Sequence, residues 1–303
     1  MAEQQDAPRS AAEVLPEEHR GFATNLLARH NIDTADLYQQ DVGRSNAFLD
    51  EGKAKDMLEV VFSNNCGLVA NALGVPPRRM LEMGKEKGVA VAALVGAKEH
   101  AVKQAEAGVD ILVVSGGEAG GHCGEVSTLV LVPEVVEATK PYGEIPILAA
   151  GGIITGRQLA ACMSMGAHGA WTGSMWLTTT EAFTTQIIKE KFVAANSRQT
   201  VRSRSRTGKF SRQLRSPWTD AWESEEAPDP LPMPLQGLVA EPALGKINKL
   251  AEGGHEGAKQ LATYWVGQGV GLMNEIQTPR QVVCDFMEDF LDATERLKKV
   301  MDD

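Results

Sequence analysis

Between residues 68 and 172 the chain alternates short, unbroken apolar runs with longer segments of helical period. The runs cover 68–73 (Leu68-Val69-Ala70-Asn71-Ala72-Leu73), 89–95, 110–114, 146–150 and 169–172. They lack the strict polar alternation of a sheet with one wet face, so they read as strands buried on both sides. Between them lie predicted helices over 78–87, opened by Pro76-Pro77, and over 97–107, closed by Gly108. Two more are predicted over 128–139 and 156–165, the second stopped at Gly166. Strand followed by helix, repeated in this way, predicts a parallel sheet with helices packed outside it.

On either side the pattern changes. Residues 1 to about 18 are polar and alanine-rich, and the start is expected to be disordered. A helix follows, with Phe22, Leu26 and Leu27 at helical spacing; 33–52 reads as a loop with short helical turns, and 53–62 is helical again. After Glu181 the alternation ends. Residues 201–215 carry Arg202, Arg204, Arg206, Arg212, Arg215 and Lys209 with a single aromatic, Phe210, and read as a solvated or internally paired basic loop. A helper role near a bound phosphate is the second reading of that stretch. Asp229-Pro230-Leu231-Pro232-Met233-Pro234 reads as a stiff linker. A helical stretch to about Leu261 comes next, and then a glycine-rich segment, 265–271. A helix from Pro279 places Val282, Val283, Phe286, Phe290, Ala293 and Leu297 largely on one face, as a packing helix. The domain expectation is an N-terminal segment 1–62, a β/α segment 63–200 that carries the site, and a C-terminal region 201–303 packing on it.

The strand ends are where chemistry is expected. The run 110–114 leads into Ser115-Gly116-Gly117-Glu118-Ala119-Gly120-Gly121-His122-Cys123-Gly124. So many glycines mean a backbone at positive φ or one lying close to something else. His122 is the candidate general base, because an imidazole titrates near neutral pH. The alternative is a glycine-rich turn whose histidine only caps a carbonyl. Cys123 reads as a nucleophile or, more simply, as a small loop-filling thiol. Two further loops follow strand ends on the same edge: Ala149-Ala150-Gly151-Gly152-Ile153, leading to the helix with Arg157, and Trp171-Thr172-Gly173-Ser174. In barrels the last two such loops, with a helix N terminus, form a phosphate site, and the helix dipole favours an anion by about 0.3–1 kcal/mol.

Composition narrows the partners. A formal net charge of −10 argues against nucleic acid or an anionic membrane surface. No apolar run reaches the roughly 18 residues that span a bilayer, and the first residues lack a secretion signal. Four cysteines far apart, without metal-ligand spacing, suggest reduced thiols in a cytoplasmic protein and no metal site.

Taken together and in this order, Glu118-Ala119-Gly120-Gly121-His122-Cys123-Gly124, Ala149 to Ile153 and Trp171 to Ser174 resemble the nitronate monooxygenase (formerly 2-nitropropane dioxygenase) family. The resemblance runs from about Leu68 to the end, with Trp265 to Gly271 similar to a late glycine–glutamine segment of that family. It implies an FMN-dependent, TIM-barrel-type parallel β/α fold, with His122 as the base that takes the proton α to a nitro group. Gly120, Gly152, Trp171, Thr172, Gly173 and Ser174 match FMN-holding positions, and the last two loops grip the phosphate. Ser115 stands where the family usually has a longer, flavin-contacting glutamine. The family also begins with further strands. Only five of eight are found here, so the barrel is expected to be incomplete at its N-terminal side. A truncated gene product, a second chain supplying strands, or coverage of the gap by 17–62 would each account for that.

The implied activity is oxidation of nitroalkanes or nitronates with O2 to a carbonyl compound and nitrite. One alternative is a flavin enoyl-thioester reductase using NAD(P)H. Another is a non-catalytic partial barrel, as a homo-oligomer or with a partner chain.

Overall fold

A computed structural model describes residues 11–39 and 51–302. The tail before residue 11, and most of the loop expected over 33–52, lie outside the described residues. In order, the elements are α1 (Ala11–Val14), α2 (Glu17–Arg29), α3 (Glu51–Ser63), β1 (Leu68–Asn71), α4 (Arg78–Lys87), β2 (Ala90–Val95), α5 (Lys98–Ala107) and β3 (Ile111–Ser115). They continue with β4 (Gly121–His122), α6 (Thr128–Thr139), β5 (Ile147–Ala150), α7 (Gly156–Ser164), β6 (Gly169–Trp171) and α8 (Gln186–Ala194). The last are β7 (Thr200–Ser203), β8 (Ser211–Leu214), α9 (Pro217–Trp222), α10 (Leu235–Glu252), α11 (Glu256–Leu261) and α12 (Pro279–Asp302). They form two compact units. One takes residues up to 57, 185–188 and 201–264; the other takes 58–184, 189–200 and 265 onward.

The second unit holds the parallel sheet, in the order β1-β2-β3-β5-β6. Spatial order follows chain order, as in a (β/α) barrel and unlike a doubly wound sheet. Among the described residues it has five strands, fewer than a closed eight-stranded barrel, and neither outer strand, β1 or β6, pairs with another. One face carries Leu112, Val114, Ile147 and Ala149, which pack on Leu131, Val132 and Val135 of α6, Ala101 of α5 and Cys162 of α7. Each large apolar side chain buried there contributes about 1.5–3 kcal/mol. The other face carries Ala92, Val113 and Ala150, with Leu68, Leu94, Ile111 and Leu148 half-buried.

β1 is shorter than the predicted strand because the Asn71 side chain donates to the carbonyls of Leu73 and Gly74 and turns the chain. In α12, Val282, Phe286, Phe290 and Ala293 are half-buried, while Val283 and Leu297 of the expected packing face are exposed. Gly156 lets α12 approach α7 closely, since a β-carbon there would lie 1.9 Å from the Phe286 carbonyl.

The first unit is built on α2 and α10, with Leu26, Leu27, Val239, Leu244 and Ile247 buried and Phe22 edge-on to Trp222. Burial pushes the Tyr38 hydroxyl pKa up; that hydroxyl donates to the Val239 carbonyl. The basic stretch is not a plain loop. It holds β7 and β8, neighbours in a sheet, and its arginines are paired: Arg204 with Asp229, Arg206 with Glu241 and Arg215 with Asp220. The Pro-rich segment is not a linker either. Arg204 donates to the Pro230 carbonyl and Gln236 accepts from Leu231 N–H, which holds the segment against its own unit.

Candidate functional site

The strand register sets the frame. Ser115 pairs with Ala150, and Ala150 with Trp171, so the three form one row at the C-terminal edge of the sheet. Side chains alternate along a strand, which puts Ser115 on the face of Val113, away from α6. Ser115 and Trp171 thus stand two strands apart, roughly 9–10 Å. Ser115 is buried, whereas Trp171 is 37% exposed.

The loop after β3 is pinned on both sides of His122. On one side, a β-carbon on Gly120 would lie 2.7 Å from Gly267 N and from the Val266 carbonyl carbon. On the other, one on Gly124 would lie 2.3 Å from the carbonyl oxygen of Gly96, just past β2. Backbone therefore abuts backbone two residues before and two residues after His122. His122 itself is half-buried in the short strand β4, after Gly121 at φ 76°.

Glu118 does something its place in a glycine run does not advertise. Its carboxylate accepts from Thr128 N–H (2.9 and 3.2 Å) and from the Thr128 hydroxyl (2.9 Å), closing the first turn of α6. The same hydroxyl lies 3.2 Å from the carbonyls of Ala150 and Gly151. Gly116 makes room for this: its β-carbon would be 2.2 Å from Thr128 Oγ1 and 2.4 Å from Thr128 N. Gly152, at φ 68°, has Glu118 Cβ 3.0 Å from where its own β-carbon would be. Its bareness therefore serves contact between the two loops.

Gln158 was not singled out from the sequence. It donates to the Gly152 carbonyl (2.8 Å) and accepts from the N–H groups of Ile154 and Thr155, fixing the turn into α7. Thr155-Gly156-Arg157-Gln158 has the spacing of a capping box, the signal that would have found it. The α7 N terminus differs from expectation. It is closed from within the chain, because Asp289 of α12 accepts from Arg157 N–H (2.7 Å) and pairs with the Arg157 side chain. Hydrogen bonding by Arg157 holds the Asp289 carboxyl below the usual carboxylate range.

The third loop is more open. Gly173 has nothing within 4 Å of a β-carbon position, and its φ of −123° is ordinary for any residue. Thr172 is engaged by Trp176, whose indole N–H lies 3.1 Å from its hydroxyl and carbonyl oxygens. Ser174 Oγ accepts from Gly267 N–H (2.9 Å). The segment after Trp265 ties the loops together. Gln268 N–H donates to the Glu118 carbonyl (2.8 Å), and Gly269 packs so closely that its β-carbon would be 2.7 Å from the Gly152 carbonyl oxygen. A cleft of about 330 Å³ opens beside these loops, lined by Glu118, Gly152, Gln158, Ser197 and Gln268 among others. Cys162, also on its wall, has its thiol pKa pushed up by burial and then by the Glu118 charge.

The loops that carry the predicted site residues thus leave one sheet edge. Gly120, Gly152 and Ser174 are linked through Glu118 and Gly267, while Ser115 and Trp171 stand in the row beneath. Among the described residues no group of three His, Cys, Asp or Glu could hold a metal ion, and no helix is long and apolar enough to cross a membrane.

Comparison with known proteins adds the following. A family described as nitronate monooxygenase matches residues 18–289, so the likeness begins well before Leu68 and takes in α2. A Mycobacterium tuberculosis protein bearing a monooxygenase name is 47% identical over 96% of this chain and 76% of its own length. A second M. tuberculosis protein, named (3aS,4S,5R,7aS)-5-hydroxy-7a-methyl-1-oxo-octahydro-1H-indene-4-carboxyl-CoA dehydrogenase, is 35% identical over 59% of this chain. The chain spans only half the length of that relative. Among solved structures, nitroalkane oxidase from Streptomyces ansochromogenes superposes with a TM-score of 0.76 at 23% identity, over 95% of this chain and 78% of that one. The fold is therefore of TIM-barrel type.

Proposed function

The chain belongs to the nitronate monooxygenase family of flavin-dependent oxidoreductases, and from that premise we propose that it oxidises nitroalkanes or nitronates with O2. The observation that carries this reading is the convergence of the His122 loop, the Gly151–Gly152 loop and the Gly173–Ser174 loop on one sheet edge, stitched by Gly267–Gln268. FMN fits these residues. Gly173 leaves open space where a side chain would stand, Ser174 offers a hydroxyl, and the Glu118 carboxylate on the cleft wall is turned onto Thr128. The Gly152 N–H, rather than the already filled space beside its α-carbon, would join Gly173 and Ser174 in holding the phosphate, Ser115 and Trp171 would line the ring side, and α7 would contribute little because Asp289 closes its N terminus. When bound, FMN supplies the two-electron oxidation that O2 completes.

The chain's own part is proton management and positioning. His122, held between the Gly120 and Gly124 contacts, takes the proton from the carbon next to the nitro group. A neutral nitroalkane needs that proton removed, while a preformed nitronate does not. His122→Ala is therefore expected to lower turnover of a neutral nitroalkane by about 10²–10⁴-fold with FMN still bound, and to affect a nitronate much less. Unchanged turnover would remove His122 from the mechanism. The 35% identical carboxyl-CoA dehydrogenase points to acyl thioesters as a substrate class and favours a second reading, reduction of an enoyl thioester by NAD(P)H through the flavin. Anaerobic mixing of the flavin-loaded protein with NADH and NADPH separates the two: rapid bleaching supports the thioester reading, and none supports the monooxygenase.

A further inference from the structure

We propose that Glu118 is a positioning residue, fixing the distance between the loop that carries His122 and the two loops assigned to the flavin phosphate. This rests on the functional reading above. Glu118 reaches each phosphate loop by a separate route. Through its side chain it packs on Gly152, whose β-carbon position lies 3.0 Å from Glu118 Cβ, while its carboxylate takes the Thr128 N–H and hydroxyl and so fixes that packing. Through its own carbonyl it accepts from Gln268 N–H, next to Gly267, whose N–H donates to Ser174 Oγ. The side chain thus ties the His122 loop to Gly151–Gly152, and the backbone ties it to Ser174. Both carboxylate oxygens face donors on Thr128, so this acid is committed to holding the loops and not to proton transfer.

The chemistry needs a carboxylate. Thr128 presents two donors, an N–H and an O–H, whose short contacts both fall on one carboxylate oxygen, while the other oxygen lies 3.2 Å from the same N–H. A glutamine presents one acceptor and one donor, so its NH2 would face a donor. Aspartate, one methylene shorter, would not reach. The closeness of Gly116, Gly151 and Gly152 to Thr128 and Glu118 shows that the loops are built around this contact: each β-carbon would fall within 3.0 Å of one of these two residues.

The test uses Glu118→Gln, Thr128→Val and the double variant in the full chain with FMN. Turnover of a neutral nitroalkane should fall about 10- to 100-fold in each single variant, as small misplacements of reacting groups do. A preformed nitronate should lose less than about threefold, because it needs no proton removed. The double variant should be no worse than the poorer single one, since both break the same link. Thr128→Ser, which keeps the hydroxyl, should behave as wild type. Equal losses with both substrates, or losses that multiply in the double variant, would overturn the proposal. A readout independent of activity is amide hydrogen exchange at 151–152 and 267–268. It should speed up in Glu118→Gln, and unchanged exchange at both segments would also overturn the proposal. If the wild-type protein oxidises neither substrate, the functional reading fails, and the exchange measurement still decides the role of Glu118.

Discussion

Three glycines of the β3 loop, Gly116, Gly120 and Gly124, and Gly173 of the β6 loop look alike in sequence, yet they do opposite things. Gly116, Gly120 and Gly124 each lack a side chain so that another part of the chain can come within about 2–3 Å: Thr128, the Val266–Gly267 backbone and the Gly96 carbonyl in turn. Gly173 lacks one beside open space, at an unstrained φ. The first kind packs the backbone around His122, and the second leaves the space beside it open. A glycine at a strand end is therefore not by itself a cofactor position. What matters is whether the vacated volume is already filled.

This contrast can be broken at its strongest point first. Gly116→Ala drives a methyl group into Thr128 Oγ1 and N, and neither the backbone nor a buried threonine can retreat far. It is expected to cost more than about 4 kcal/mol, read as a large drop in Tm or as insoluble protein. A near-wild-type melt would show that the loop is not built around Thr128. Gly173→Ala should leave Tm within a degree or two of wild type. Its methyl group would fill the space proposed for the phosphate and push it off the loop, so FMN should bind roughly 10- to 100-fold more weakly, as measured by flavin fluorescence. Destabilisation without loss of FMN affinity would put Gly173 with the packed glycines. The smallest effect belongs to α7, whose N terminus is closed by Asp289. With its folded pKa held down by Arg157, this carboxylate adds stability above its unfolded value near 3.8 and loses it as pH falls below that value. Asp289→Asn should flatten that acid limb slightly. Because the Arg157 side chain is 72% exposed, salt should flatten it too.

The parallel sheet and its helices were legible because their signals are local. Unbroken apolar runs, Pro76-Pro77 and glycine stops mark α4 and α6 with the observed ends, 78–87 and 128–139. Other features depend on partners far along the chain. Asp289 closes a helix 132 residues away, and Arg206 is buried because Glu241 meets it. No pattern within 201–215 announces that pairing, so β7 and β8 read as loop. Likewise nothing local marks Glu118 among its glycines, since its partner Thr128 lies ten residues on, across a turn. Of the candidate site, the three strand-end loops were legible, but the residues that hold them to one another, Glu118, Gln158 and Gly267, were not.

The central claim is that three strand-end loops of this chain together hold FMN, two at its phosphate and the third bringing His122 beside its ring. Titrating FMN with the purified protein and following flavin fluorescence tests it most directly. The account predicts saturable, one-to-one quenching, weakened by Gly173→Ala. Fluorescence that stays at the level of free FMN across the titration would contradict it.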